Sequence, residues 1–400
     1  MNKLLWICLS ISLVFGLLGM GPAAAEEVNE NLPKGPDLKI DGVSAILIEP
    51  NSGEILYSKN PDQKLPPASV TKLMVMLLAL EALDKGQIKL TDVISASPEA
   101  CRMGGSQIWL EPGEEMTVAD LLKAVCIVSA NDASYALGEH LAGSEENFIA
   151  MMNKRAAELG LKNTHFINTT GLEPDGGGVG NLTSAGDMGM LAREVIKHPA
   201  VFNWTGVWID SLRDGKSFLR NTNKLVRFYR GCDGLKTGYT DKAGYCLVAT
   251  ALRDGVRMVA VVMKSSTIDS RSRDISTMFN YGFSQYRAFL VCRAGEKTGQ
   301  VKVFRGKESR VDVVVPRELT AILKRNQTGE VIKTVKIDRM VAAPVKKGQI
   351  IGEVALTYEG RSCGRMELVA AKDVGKAGFF EIWGQIFKKV IEMAVGASYR

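Results

Sequence analysis

A hydroxyl and an amine three residues apart, Ser69 and Lys72 in Pro67-Ala-Ser-Val-Thr-Lys72, are the first pair here whose types and spacing could do chemistry. At the start of a helix, positions i and i+3 share a face, so the two side chains can touch. A serine hydroxyl is a weak nucleophile until a neighbouring base takes its proton. A lysine can be that base only when burial or a second cation lowers its pKa. The apolar run Leu73, Met74, Val75 that follows supplies such a setting, and the N–H groups of a helix start can face an oxyanion beside Ser69. The chemistry allowed is acyl transfer through a serine ester. Taken alone, the pair is also what chance supplies: a serine at a helix start and an exposed lysine.

Two more groups change the odds. Ser129-Ala-Asn131 follows an apolar helical run, and Lys236-Thr237-Gly238 precedes a pair of strand-like runs. A second Lys-Thr-Gly, at Lys297-Thr298-Gly299, has no apolar run before it and reads as a turn.

The elements that must position these groups follow from periodicity. Val43 to Ser58 reads as a β-hairpin around Asn51-Ser52-Gly53. Leu73 to Leu83, dense in Leu, Met and Ala behind Pro66 and Pro67, predicts a long helix. A second spans about Val118 to Val128, opened by Thr117 and Asp120 in a capping-box-like start. Helical patches at Glu145 to Leu159 and Ser184 to Ile196 alternate with Gly-rich loops, of which Gly176-Gly177-Gly178 carries no phosphate signature. Tyr245 to Leu252 and Val256 to Met263, joined by Arg253-Asp254-Gly255, predict a tight hairpin, and a helix from about Asp269 to Phe289 closes the first domain. Short β-rich runs then suggest a small β-sandwich domain over 296–373.

Composition sets the frame. Four hundred residues, 46% hydrophobic and 24% charged, fit two domains. Lys3 starts an apolar stretch, Leu4 to Met20, that ends at Ala23-Ala24-Ala25, so residues 1–25 read as a signal peptide removed on export. Pro33, Gly35 and Pro36 mark 26–37 as a tether, with order from about Leu38 and a first domain over 38–293. The net charge of +6 becomes +5 when Lys3, the one charged residue of the signal, is removed. No Lys/Arg run is present to follow a phosphate backbone, so nucleic acid is excluded as the expected partner. Seven cysteines without a C-x-x-C pair, and only three histidines, disfavour a metal site, and no cofactor motif stands out. The thiols read as small buried hydrophobes, with pairing open. Phe379, Trp383, Ile386, Phe387, Val390 and Ala394 recur on one face, opposite Glu381, Gln385, Lys388 and Glu392. Residues 376–400 therefore predict an amphipathic helix lying on a membrane surface, with packing on the β domain or on a second copy as the alternative.

S-x-x-K, S-x-N and K-T-G in this order and spacing match the pattern of the β-lactamases and penicillin-binding proteins. From about Asp41 to the C-terminus the chain resembles the low-molecular-mass D-alanyl-D-alanine carboxypeptidases among the latter, through P-P-A-S-V-T-K, W-L-E-P-G, S-A-N-D-A, L-K-T-G-Y-T-D-K-A-G-Y and the trailing β-rich region. The resemblance implies an α+β fold: an antiparallel sheet flanked by helices with a helical lobe, then a small all-β domain and the C-terminal amphipathic helix. It implies that Ser69 is acylated, that Lys72 accepts its proton, that Ser129 shuttles a proton and that Asn131 holds the substrate amide. Lys236 and Thr237 would meet the substrate carboxylate, a sound pairing for a cation and a hydroxyl, and Gly238 would let the strand edge approach. Backbone N–H groups of Ser69 and Tyr239 would form the oxyanion hole. Tyr239 stands where many relatives have histidine, and Asn221-Thr222-Asn223 where some have arginine, which leaves the carboxylate to Thr237, with Arg227 as a second candidate. The implied partners are a peptidoglycan stem peptide ending in D-Ala-D-Ala, β-lactams as covalent inhibitors and the outer face of the cytoplasmic membrane.

Two rivals share the three motifs: a serine β-lactamase and a catalytically idle penicillin-binding sensor. No E-x-x-x-N segment lies between the second and third motifs to supply a β-lactamase's deacylating base, and intact motifs argue against idleness. A Ser-His-Asp hydrolase is disfavoured by the lack of a G-x-S-x-G elbow.

Overall fold

The computed structural model describes residues 36–174 and 176–378. The signal segment, most of the tether and the chain beyond Gly378, with nearly all of the amphipathic segment, lie outside the described residues. Lys376, where that helix was expected to begin, instead forms a β-bridge with Gly306.

At the centre is a five-stranded antiparallel sheet in the order Ile55–Lys59, Ser44–Ile48, Val256–Ser265, Gly244–Arg253, Cys232–Thr240. Antiparallel sheets commonly leave one face wet, with polar residues alternating along each strand. Here Ser44–Ile48 is buried at all five positions. Ala45 and Leu47 pack with Ile275, Met278 and Phe279 of the helix Ile268–Gln285. Ile46 and Ile48 face the other way, toward Leu73 and Met188 of the helices Lys72–Asp84 and Ala185–Val195. Burial of both faces explains why these strands are continuous apolar runs.

The helix Lys72–Asp84 is the core of the larger layer, with ten of its thirteen residues buried. A helix that is apolar all round belongs in an interior, and the helices Val118–Ile127, Asn131–Ala142 and Glu145–Glu158 form the lobe packed about it. Caps fix several starts: Thr117, Ser144, Ser184 and Thr267 each accept from the backbone N–H three residues on. The buried Asp274 carboxylate accepts from the backbone of Asp41 and Gly42, tying the first strand's approach to the closing helix.

That closing helix ends at Gln285, four residues before its expected end. Tyr286–Cys292 is a strand paired antiparallel with Leu319–Lys324. A short apolar run has no period that separates strand from helix, and the ladder with 319–324 decides it. These two strands pack on a six-stranded sheet ordered Ile332–Ile337, Ile350–Tyr358, Arg361–Ala370, Arg310–Val314, Lys297–Phe304, Met340–Ala342, with one core drawing Cys292, Leu319 and Leu323 from one side and Val313, Val354 and Leu368 from the other. The second Lys-Thr-Gly is not a turn. Lys297 begins a strand of this sheet, its amine 2.7 Å from Asp312. All six cysteines among the described residues are free, and five are buried.

Leu77→Ala, at a fully buried position of the core helix, is expected to destabilise the protein by about 2–5 kcal/mol, read as a lowered Tm by calorimetry. An unchanged Tm would mean the helix is not the core.

Candidate active site

Ser69 lies in a 3-10 turn, Ala68–Thr71, that runs straight into the helix beginning at Lys72. With three residues per turn, side chains at i and i+3 eclipse, and Lys72 Nζ lies 3.1 Å from Ser69 Oγ. The same amine reaches Asn131 Oδ1 at 2.6 Å and the Thr170 carbonyl at 2.8 Å. All three partners are neutral. Burial first, and the charge of Lys236 second, hold the Lys72 amine well below the usual 10.5, against an opposing pull from Asp132.

The Asp132 carboxylate is occupied elsewhere. It accepts from the backbone N–H groups of Ile108 and Leu110 and so pins the loop above the cleft. Asn131 donates its amide to Gly104 O in that loop at 2.6 Å. Ser129 turns the chain between two lobe helices at φ +67°. Glycine is the customary residue for a left-handed helix end, and a side chain there costs about 1 kcal/mol or more. The hydroxyl retained is buried, with no hydrogen-bond partner among the described residues.

The third wall is the edge strand Cys232–Thr240. Lys236 is fully buried, its amine donating to the Thr237 carbonyl at 3.0 Å; burial, chiefly, and the Arg271 charge lower it to about 7. A Cβ at Gly238 would stand 2.7 Å from Pro67 O and 3.1 Å from Ser69 N, so only glycine lets this strand lie against the Ser69 turn. Tyr239 is half exposed and stacked on Tyr245 at 4.4 Å. The opposite flank closes as tightly: a Cβ at Gly171 would stand 1.9 Å from Ala68 O. Beyond it Glu173 pairs with Lys242 at 3.1 Å, linking that loop to the end of the Lys-Thr-Gly strand.

The structure thus brings Ser69, Lys72, Asn131 and Gly238 into direct contact or close approach, with Ser129 two residues from Asn131 and Lys236, Thr237 and Tyr239 on the Gly238 strand. Three contributors escaped the sequence reading. Thr170 acts through its carbonyl, which carries no residue signal. Thr222 Oγ1 lies 2.7 Å from Thr237 Oγ1, while its neighbours Asn221 and Asn223 brace backbone carbonyls. Arg271 is buried beside the strand partner, 3.4 Å from Cys246 O, its Nε without a hydrogen-bond partner among the described residues. Arg227 is exposed on the short helix Leu225–Phe228. The distant cation of Arg271 could have been suspected only from its place on the face of the closing helix that meets the sheet.

A family model described as D-alanyl-D-alanine carboxypeptidase matches residues 29–267, and one described as penicillin-binding protein 5, C-terminal domain, matches 286–376. The chain belongs to this carboxypeptidase family. It is 41% identical over 372 residues to the D-alanyl-D-alanine carboxypeptidase DacF of Bacillus subtilis, covering 92% of this chain and 95% of the relative. It superposes on penicillin-binding protein 5 from Haemophilus influenzae with a TM-score of 0.63 at 31% identity, covering 85% of this chain and 99% of the other. Penicillin-binding protein D2 from Listeria monocytogenes, solved in an ampicillin-bound form, matches with a TM-score of 0.57 at 33% identity over 62% of this chain and 99% of that one. The protein is accordingly a serine-type D-alanyl-D-alanine carboxypeptidase, a hydrolase with the mixed α+β fold of penicillin-binding proteins and an all-β domain behind it.

Gly238→Ala is expected to cut acylation by benzylpenicillin about a hundredfold by displacing the nucleophile's turn, while Lys297→Ala behaves as wild type; stopped-flow acylation rates test both. Equal damage from the two would place the substrate at the wrong Lys-Thr-Gly.

Proposed function

We propose that Ser69 is the residue acylated during removal of the terminal D-alanine from peptidoglycan stem peptides, with the neutral amine of Lys72 as its base. The observation that carries this reading is a fully buried amine 3.1 Å from a hydroxyl, without a carboxylate partner among the described residues. The amine takes the Ser69 proton as Oγ attacks the carbonyl between the two D-alanines. The oxyanion sits against the N–H groups of Ser69 and Tyr239. As the C–N bond breaks, the Ser129 hydroxyl passes a proton to the leaving amine and takes in its place the one held by Lys72, so D-alanine departs with Lys72 neutral again. Water then adds to the ester with Lys72 again accepting a proton, and Ser69 is regenerated as the shortened peptide leaves with a new carboxylate.

The carboxylate of the leaving D-alanine is held by Lys236 and Thr237, with Thr222 supporting the Thr237 hydroxyl and Arg271 adding positive charge behind the strand pair. The substrate backbone runs beside the free edge of Cys232–Thr240 as an added strand. Asn131 holds its amide. β-Lactams present a strained amide and a carboxylate to the same groups and acylate Ser69 in the same way. Their esters release slowly, because no E-x-x-x-N segment between the second and third motifs supplies a deacylating base and Asp132 is held by the backbone N–H groups of Ile108 and Leu110. Rapid penicillin hydrolysis would favour a β-lactamase instead.

The sequence features of both chain ends support export and action at the outer face of the cytoplasmic membrane, with residues 379–400 lying in the interface. Among the described residues no helix is long and apolar enough to cross a membrane.

Mass spectrometry after benzylpenicillin treatment should find the adduct on Ser69, and Ser69→Ala should take up none and release no D-alanine from a peptide ending in D-Ala-D-Ala. An adduct that survives the substitution would sink the assignment. The pH profile of kcat/KM, which reports the free enzyme, should rise as Lys72 loses its proton, at a pH well below 10.5 because its pKa is lowered. It should fall as Lys236, held at about 7, loses the charge that docks the carboxylate. A rising limb near the ordinary lysine value would overturn the reading of Lys72 as an amine already neutral at working pH.

A further inference from the structure

Three segments meet at the end of the β domain from which the chain departs. Ala377 N donates to Arg305 O, and Lys307 N to Gly375 O, both at 2.9 Å, while Gly306 is bridged to Lys376. Ala343 N donates to Phe304 O at 3.0 Å, Val345 and Val374 exchange backbone bonds, and Lys347 N donates to the Asp373 carboxylate at 2.7 Å. These contacts gather Arg305, Lys307, Lys346, Lys347, Lys372 and Lys376 on one exposed surface, against two acids, Glu308 and Asp373. Glu308 is paired with Lys372 at 2.6 Å. Phe304 stands 51% exposed at the rim, with the Arg305 guanidinium 5.2 Å from its ring centroid.

The six cations spread over turns and loops and do not converge on a point, so they suit an extended anionic plane. An exposed aromatic among lysines and arginines is the composition of a side chain that enters the headgroup region while its neighbours meet phosphates. The chain leaves this same end through Ala377 and Gly378 toward residues 379–400, which the sequence marks as an interfacial segment. We propose that this end of the β domain is itself a docking surface for an anionic lipid bilayer, a second attachment beside the C-terminal segment. The choice of partner rests on the membrane reading above; the surface itself rests on the contacts among 304–308, 343–348 and 372–377.

The test is sedimentation of the mature full chain with vesicles of phosphatidylcholine alone, or mixed with phosphatidylglycerol, and of two full-length variants. K346E/K347E/K376E should keep its peptide hydrolysis in solution and its binding to phosphatidylcholine vesicles, but lose roughly tenfold or more of its partition onto the phosphatidylglycerol mixture. That difference should vanish at 1 M salt, where screening acts within about 3 Å. W383E/F387E should weaken partition onto both vesicle types, which separates the C-terminal segment from the surface. If W383E/F387E changes nothing, the membrane reading of that segment fails, while a phosphatidylglycerol-dependent loss in the charge-reversed variant still supports the surface. Unchanged partition of the charge-reversed variant onto phosphatidylglycerol overturns the proposal. So does a variant that loses affinity for soluble polyglycerophosphate yet keeps its partition onto vesicles, because the partner would then be a wall polymer.

Discussion

A buried amine whose pKa is held well below the usual lysine value by its surroundings is the constraint on which the rest of this molecule depends. Burying an ammonium costs several kcal/mol, and a protein can meet that cost with a carboxylate or let the proton go. Lys72 is given a hydroxyl, an amide oxygen and a peptide carbonyl. Each accepts a hydrogen bond, and none stabilises positive charge as a carboxylate would. The core helix that carries Lys72 is accordingly apolar on every side, and the charge of the buried Lys236 amine pushes the Lys72 pKa further down. The Asp132 carboxylate is turned into a clamp on the backbone of Ile108 and Leu110, so it shapes the cleft while its pull on Lys72 is outweighed by burial.

The positioning is costly at the chain level too. Ala68 and Ser129 both sit at positive φ without being glycine, and Gly171 and Gly238 press backbone against backbone on either side of the Ser69 turn. Such strain persists only where surrounding packing over-determines it. The two-faced burial of the central sheet provides that packing. The sheet cannot slide relative to the core helix without disturbing an apolar layer, so the strand edge at Gly238 and the turn at Ser69 keep their spacing.

Much of this was legible in the residues. The core helix, the first hairpin, the pair Gly244–Arg253 and Val256–Ser265, and the capped helices all follow from periodicity and turn chemistry; of the three motifs, Ser69, Lys72 and Asn131 meet through side chains, and the third lies against the Ser69 turn through Gly238. What could not be read has a physical reason in each case. Tyr286–Cys292 is a short apolar run whose strand character comes from a partner more than thirty residues away. Lys297-Thr298-Gly299 lacks an apolar run before it because it begins an amphipathic strand, exposed at alternate positions. Thr170 contributes a carbonyl that any residue would carry, and Arg271 reaches the strand pair only through the packing of a helix on a sheet. Thr222 contributes a hydroxyl that meets another hydroxyl across fifteen residues, a pairing that no local motif marks.

The junction at Gln285 and Tyr286 has a mechanical consequence. The closing helix passes into a β strand without an intervening linker, Tyr286 reaches back to Glu54 of the first hairpin at 3.2 Å, and a Cβ at Gly255 would press on Ala288 at 3.1 Å. The β domain is therefore a strut and not a leash. A leash would let the catalytic cleft sweep a volume; a strut assigns it an altitude above whatever its far end rests on. With that end resting on the membrane proposed above, only strands of polymer passing at that altitude would come within reach, and which peptides are trimmed would be partly a matter of where in a layered wall they lie.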